Sequence, residues 1–445
     1  MLPFITAFDP LGSSTGSIDP LGSLQSYGAL VDLLLPGMST ITNRSRYLSM
    51  LCRAIDLVEQ YGQPPPGPAG LAVRRSAIEP FERLWAAACV VGWKNGATYE
   101  TLGLRGVNGA ERAVRDFTKS GRITPDFKLL KYQSRTGATA TYWTAMVSGS
   151  LVDSFTGALT AEGRSLAEHF PLPDSLSSAE LKRLIDPELA CRVSMSLDDS
   201  VLWAKKCHLT GATRNERGCL AAALTAANER RDAVATALRS MMEKQPLPNE
   251  WRISGLRRLQ KHLSGLGHIE LLEFPAVIEA IIRTEQFHEA VLSIFETLLW
   301  WASQPASQSI DKLTDEDDFQ IVCAQARETA GKLAIFYRDC DSTIVRSALD
   351  SLHSFTMGIE ASTTPRKVLE CVLERHNSVQ LGKLDGGAPK RDWVTWEGDG
   401  KLLRPSARFQ RMTRPAPPRG ARLTHPYRLE QFVYMLREND FLPTA

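Results

Sequence analysis

The chain has 445 residues, too many for one hydrophobic core, and its 52 Lys and Arg against 50 Asp and Glu leave it almost neutral. That balance excludes a protein that is basic or acidic throughout, so any site for a polyanion has to come from how the charges are distributed. The longest greasy stretch, FPAVIEAIIRTEQFHEAVLSIFETLLWWA, carries Glu279, Arg283, Glu285, His288, Glu289 and Glu296, which excludes it as a membrane span.

Residues 1–24 are rich in Gly, Ser, Pro and Thr, repeat DPLG at Asp9–Gly12 and Asp19–Gly22, and read as turns. Helical spacing of apolar residues follows over Leu24–Leu35, is broken by Pro36-Gly37, and resumes over Tyr47–Tyr61 with Ser39 or Thr40 as cap. GQPPPGPAG at 62–70 reads as a linker, since proline removes donors and fixes the backbone. A helix is expected over Ile78–Trp93 with Phe81, Leu84, Trp85 and Ala88 on one side, and another near Ala110–Lys119. Ala138–Ser148 then reads as helix, LVDSFTGALT as a hairpin turning at Gly157, and Ala161–Phe170 as a helix capped by Thr160. Helix, hairpin and helix is the order that ends a winged helix-turn-helix.

Further helices are expected over Ala179–Leu184, Ala190–Cys207, Asn215–Lys244, Trp251–Ser264, Pro275–Trp301, Phe319–Phe336 and Ser342–Met357. From Gly382 the chain becomes rich in Gly, Pro and Arg and reads as irregular structure or a short β-unit. The expected fold class is therefore mainly α, a multi-domain helical protein with a small winged-helix-like α+β unit. Four segments are expected: a helical module with its Pro-Gly turn and linker (1–70), a helical and winged-helix-like domain (71–172), a helical domain (173–380) and a basic tail (381–445).

Three groups of cations are candidates for holding phosphate. Arg44 and Arg46 open a helix behind the Pro-Gly turn, where backbone N–H groups favour anions; the alternative is that they pair with carboxylates such as Asp32. Lys128, Lys131 and Arg135, with Thr139 and Thr141, precede and open the helix a winged domain would lay in DNA, although winged helices also dock proteins. Lys401–Arg428 carries eight Lys and Arg and no Asp or Glu, among them Arg408, Arg411 and Arg414, interleaved with Phe409 and Tyr427. The alternative there is an extension whose arginines meet the acidic stretch Asp311–Asp318.

Chemistry is harder to find. Cys207-His208 with Cys219 lacks a second ligand pair at any usual zinc spacing, so no metal site is expected, and no cofactor-binding glycine motif is present. A metal-dependent nuclease site would assemble from scattered acidic residues plus a lysine, for example Glu397, Asp399 and Lys401 in WEGDGK. Eight cysteines without a C-x-x-C pair suit a reducing compartment, and MLPFITAFDPLG lacks the pattern of a signal peptide, so a cytoplasmic protein is expected.

YGALVDLLLPGMSTITNRSRYLSMLC at Tyr27–Cys52 resembles the N-terminal module of uncharacterised bacterial proteins from anti-phage defence and restriction-modification neighbourhoods, which share LLPG or LFPG, then ST and RYL or RYF. LTAEGRSLAEHF at 159–170 is similar to the wing-to-helix end of winged-helix domains, a resemblance that extends over 125–170. The first resemblance implies a cytoplasmic, DNA-associated accessory component of a defence complex, with Arg44, Arg46 and Tyr47 at the matching motif and protein subunits as partners. It implies no catalytic residues. The expected function is therefore binding DNA for partner enzymes; the rivals are a metal-dependent nuclease effector and a protein-binding scaffold without nucleic acid.

Overall fold

The computed structural model describes residues 19–443 except 40, 97–100, 249, 266–272, 305–308, 386–387, 391, 397–401, 404, 406–408, 422 and 426. The side chains of Thr118, Arg135, Leu384, Asp385, Ala388, Pro389, Thr395, Trp396, Leu402 and Leu403 also lie outside the description. The protein is mainly helical. Its helices are α1 (Leu24–Leu34), α2 (Arg46–Tyr61), α3 (Gly67–Lys94), α4 (Val107–Ser120), α5 (Gln133–Thr136), α6 (Ala138–Ser148), α7 (Ala161–His169), α8 (Ser178–Leu184) and α9 (Leu197–Cys207). After them come α10 (Arg214–Leu224), α11 (Glu229–Lys244), α12 (Ile253–Ser264), α13 (Phe274–Ala302), α14 (Ile310–Thr314), α15 (Asp317–Asp339), α16 (Thr343–Ala361), α17 (Pro365–Leu381) and α18 (Leu429–Glu438).

These form two compact units. The first takes the N-terminal stretch to Leu34 and Leu247–Tyr427; the second takes Leu35–Pro246 and Arg428 onward, so the backbone passes between them three times. In the first unit α13 packs against α1, α12, α15 and α17, and its Val277, Ile278, Ile281, Phe287, Ile294 and Leu298 are all buried. In the second, α2 and α3 lie at the centre against α4, α6, α7 and α9.

The expected linker at 62–70 does not exist as such. Pro66 takes the position before α3 and Pro68 lies in its first turn, where a missing N–H costs nothing, so the helix starts eleven residues earlier than Ile78 and runs on through the buried Pro80. Nor does Ser39 cap α2: Ser45 holds that position, while the N–H of Ser39 donates to Oγ1 of Thr42 at 2.8 Å; Thr40 lies outside the described residues. The long helix expected over Asn215–Lys244 is two. Asn228 caps α11 by accepting the N–H of Arg231, and the break lets buried Arg231 turn back to donate to the carbonyls of Ser148 (2.8 Å) and Ala223 (3.0 Å) at the ends of α6 and α10. A guanidinium at two helix C-termini sits where the backbone dipoles favour a cation; burial still lowers its pKa to about 10.

Ala190–Cys207 is likewise not one helix. A 3-10 turn at Ala190–Arg192 leads to β2 (Met195–Ser196), antiparallel to β1 (Arg122–Ile123) with Arg122 opposite Ser196, and Ser196 then caps α9. Beyond α17 the chain forms two hairpins, β3 (Leu384–Asp385) with β4 (Ala388–Pro389) and β5 (Thr395–Trp396) with β6 (Leu402–Leu403). No helix among the described residues is long and apolar enough to cross a membrane, and none of the eight cysteines forms a disulfide.

Candidate nucleic-acid interface

Arg46 opens α2 and is buried. Its Nε and Nη2 donate to the two oxygens of Glu216, each at 3.1 Å, and Nη2 also reaches the carbonyl of Lys206 at 2.8 Å. Nη1 donates to the carbonyl of His208. The pair thus joins the start of α10, where a carboxylate suits the helix dipole, to the end of α9, where a cation does. Arg44 is just as occupied. It donates to Glu438 at 3.1 Å, to the hydroxyl of Tyr434 and to the carbonyl of Leu102, while Ser45 holds the other oxygen of Glu438. Neither guanidinium points to solvent, and their carboxylate partners are Glu438 and Glu216 in place of Asp32.

The helix-hairpin-helix order at 138–169 is present. Val152 bridges Leu159 across the turn, and Thr160 caps α7 through the N–H of Gly163. Yet α6, the helix that would enter a groove, buries Thr139, Thr141, Tyr142, Trp143, Ala145 and Met146. Tyr142 stacks on Tyr47 with centroids 4.8 Å apart. This helix is largely core: Thr139 and Thr141 are buried, and of its threonines only Thr144 is exposed.

In the first unit the basic tail lies along α13. Arg411 pairs with Glu296 and its N–H donates to Ser303; the N–H groups of Arg419 and Gly420 meet Glu289; Arg414 pairs with Glu316 at 2.8 Å and lies 3.6 Å from Asp318. Phe409 stacks on Trp393 at 4.6 Å, and Tyr427 is fully buried. These are the contacts of an extension clamped to its own acidic residues. Arg408 lies outside the described residues, as do Glu397, Asp399 and Lys401.

One polar cluster of the first unit has the order of a hydrolytic relay. Ser23 Oγ lies 3.4 Å from His425 Nε2, and His425 Nδ1 lies 2.5 Å from Glu285. Its surroundings argue for anchoring instead. Ser23 is 2% exposed, and the N–H groups of Ser23 and Leu24 that would receive an oxyanion already hold the carboxylate of Asp19 at 3.0 and 2.9 Å. Glu285 also accepts from Thr424 and from the hydroxyl of Tyr427.

The cluster makes stability depend on pH. Burial alone would raise the carboxyls of Glu285 and Asp19, but hydrogen bonds from His425 and Thr424 to the one, and from the backbone of Leu24 and Ser23 to the other, bring both below their ordinary values. Burial, helped by the charge of His425, takes His288 from 6.5 down to about 4. All three groups bind protons more readily unfolded than folded, so stability present at neutral pH is lost as pH falls, first through His288 below 6.5 and then through the carboxylates. The midpoint of thermal unfolding should decline steadily from about pH 7 to about pH 4; a midpoint constant across that range would contradict the assignment.

Exposed cations without a carboxylate partner gather elsewhere, on α4 and the loop after it. Arg112, Arg115 and Lys119 recur at i, i+3 and i+7 on the face opposite buried Ala110, Ala113 and Val114. The chain turns at Gly121 and runs back beside α4, with Phe127 edge-on to Phe117 at 5.9 Å. Leu129 then meets the start of the helix so closely that a Cβ on Gly109 would lie 2.1 Å from its carbonyl oxygen. This brings exposed Lys128 and Lys131 up to the N-terminal end of the row, while Arg122, held by Ser194, extends its other end.

Arg112, Arg115, Lys119, Lys128 and Lys131 make no ion pair among the described residues. Residues 105–136 hold eight Lys and Arg against Glu111, Asp116 and Asp126, in a chain otherwise almost neutral. Arg135 belongs to the same stretch, but its side chain lies outside the description. Sequence reasoning found Lys128 and Lys131 and passed over the helical row beside them, whose signal was the spacing of 112, 115 and 119.

For metal chemistry, no group of three or more His, Cys, Asp or Glu among the described residues is placed to hold an ion. Cys207 is buried, with its carbonyl accepting from Trp85, and the His208 ring sits beside Thr210. No protein-family model, curated protein or solved structure matches this chain.

Proposed function

We propose that the second unit binds nucleic acid along α4 and the 122–135 loop, and that the protein is a DNA-associated accessory component of a bacterial anti-phage defence complex whose partner subunits perform the chemistry. The observation that carries the binding is the contrast in pairing. Arg44 and Arg46 at the start of α2 and Arg411 and Arg414 in the tail are matched to carboxylates, whereas the α4 cations stand exposed and unmatched at a helical repeat. Side chains kept in water on long stems suit phosphate contact, which supplies most non-specific affinity. The defence setting rests on the resemblance at Tyr27–Cys52.

Charge reversal at Arg112, Arg115 and Lys119 together tests the surface. Wild-type affinity for duplex and single-stranded DNA should fall about 100-fold for a fourfold rise in salt if roughly four phosphates are contacted. The triple variant should bind at least about tenfold more weakly with a flatter salt slope, at unchanged melting temperature. Equal affinity in both proteins would transfer the weight to the scaffold reading, which the buried ion pairs favour.

A further inference from the structure

We infer that Tyr132 is a stacking platform for a base of single-stranded nucleic acid whose phosphates follow Lys128, Lys131 and the α4 row. This rests on the nucleic-acid reading above and adds the strandedness of the ligand. The ring is 56% exposed in the middle of the basic stretch, between Lys128 and the start of α5. Ammonium Nζ of Lys131 lies over the ring at 5.2 Å from its centroid, so one face of the platform already carries a cation.

The mounting is rigid. The carbonyl of Tyr132 accepts both the N–H (2.9 Å) and the hydroxyl (2.8 Å) of Thr136. The next residue, Gln133, is buried and doubly held, accepting from Arg83 at 2.8 Å and donating to Glu82 at 3.0 Å. Glu82 in turn accepts the N–H of Ala138 at 2.8 Å, and Arg105 Nε reaches the carbonyl of Thr136 at 3.1 Å. A ring more than half exposed buries little for the fold, and here the backbone that carries it is held from Tyr132 to Ala138. A base in a duplex has both faces stacked already and cannot use such a ring; an unpaired base can.

The experiment uses the full chain and three fluorescent probes of equal length: oligo-dU, oligo-U and a DNA duplex. Tyr132→Ala should weaken one or both single-stranded probes about tenfold, leave the duplex unchanged and keep the salt slope, because the ring carries no charge. Tyr132→Trp should retain or tighten single-strand binding. Loss on one strand type alone upholds the inference and identifies the sugar preferred. If Tyr132→Ala binds both single strands as the wild type does, or loses duplex equally, the platform is refuted while salt-dependent binding can still stand. If the wild-type protein binds none of the three, both readings fall.

Discussion

Replacing Glu216 by alanine is expected to lower the midpoint of thermal unfolding by roughly 10 °C. The carboxylate is fully buried and takes two hydrogen bonds from Arg46, itself 1% exposed. Removing it leaves a guanidinium charge in the core with the carbonyls of Lys206 and His208 and the ring of Phe170 beside it but no carboxylate, and breaking a buried pair in this way costs about 3–5 kcal/mol. For a unit of this size each kcal/mol moves the midpoint by about 2–4 °C. The double variant Arg46→Met, Glu216→Leu removes both charges and should recover most of the loss, since apolar side chains of similar volume often replace such a pair at little cost. A single variant that melts within about 1 °C of the wild type would show that Arg46 is not committed to Glu216 and would return it to the list of phosphate ligands.

Glu285→Ala should cost the first unit a similar amount. This carboxylate is 0% exposed and gathers Thr424, His425 and Tyr427 onto α13. Truncation leaves the buried His425 and Tyr427 without that acceptor, each at about 1–3 kcal/mol. The tail segment from Arg419 to Tyr427 should then loosen. Calorimetry is expected to show a lowered midpoint at neutral pH, and limited proteolysis a new cleavage within that segment. The same variant should flatten the acid side of the pH dependence, because a proton-linked group has gone. Unchanged melting with unchanged protease resistance would mean that the tail is held by its other contacts alone.

Local patterns were legible in the amino acids. Apolar spacing located α1, α2, α13, α15 and α16 to within a few residues, and Thr160 was visible as the cap of α7. What escaped was whatever depends on residues far apart. Glu216 is 170 positions from Arg46 and Glu438 is 394 from Arg44, so nothing nearby announced that these arginines were already engaged. The prolines at 66 and 68 were read as breakers, though at a helix start they are among the best-tolerated residues. In α6 the signal was present and outweighed by the order of elements: ATATYWTAMVS has too much aromatic and aliphatic surface for a helix that has to lie open to a groove. For the candidate surface, Lys128 and Lys131 stood out because they sit in a loop, whereas Arg112, Arg115 and Lys119 required the helix to be drawn before they aligned.

Because the backbone passes between the two units at residues 34, 246 and 427, neither is made from a continuous stretch. On the ribosome, α2–α11 emerge long before α18, which supplies Glu438 to Arg44 and Ser45. Arg44 is therefore without its carboxylate throughout translation of everything from Leu247 to Tyr427. The nascent protein spends that interval with an unfinished charge pair.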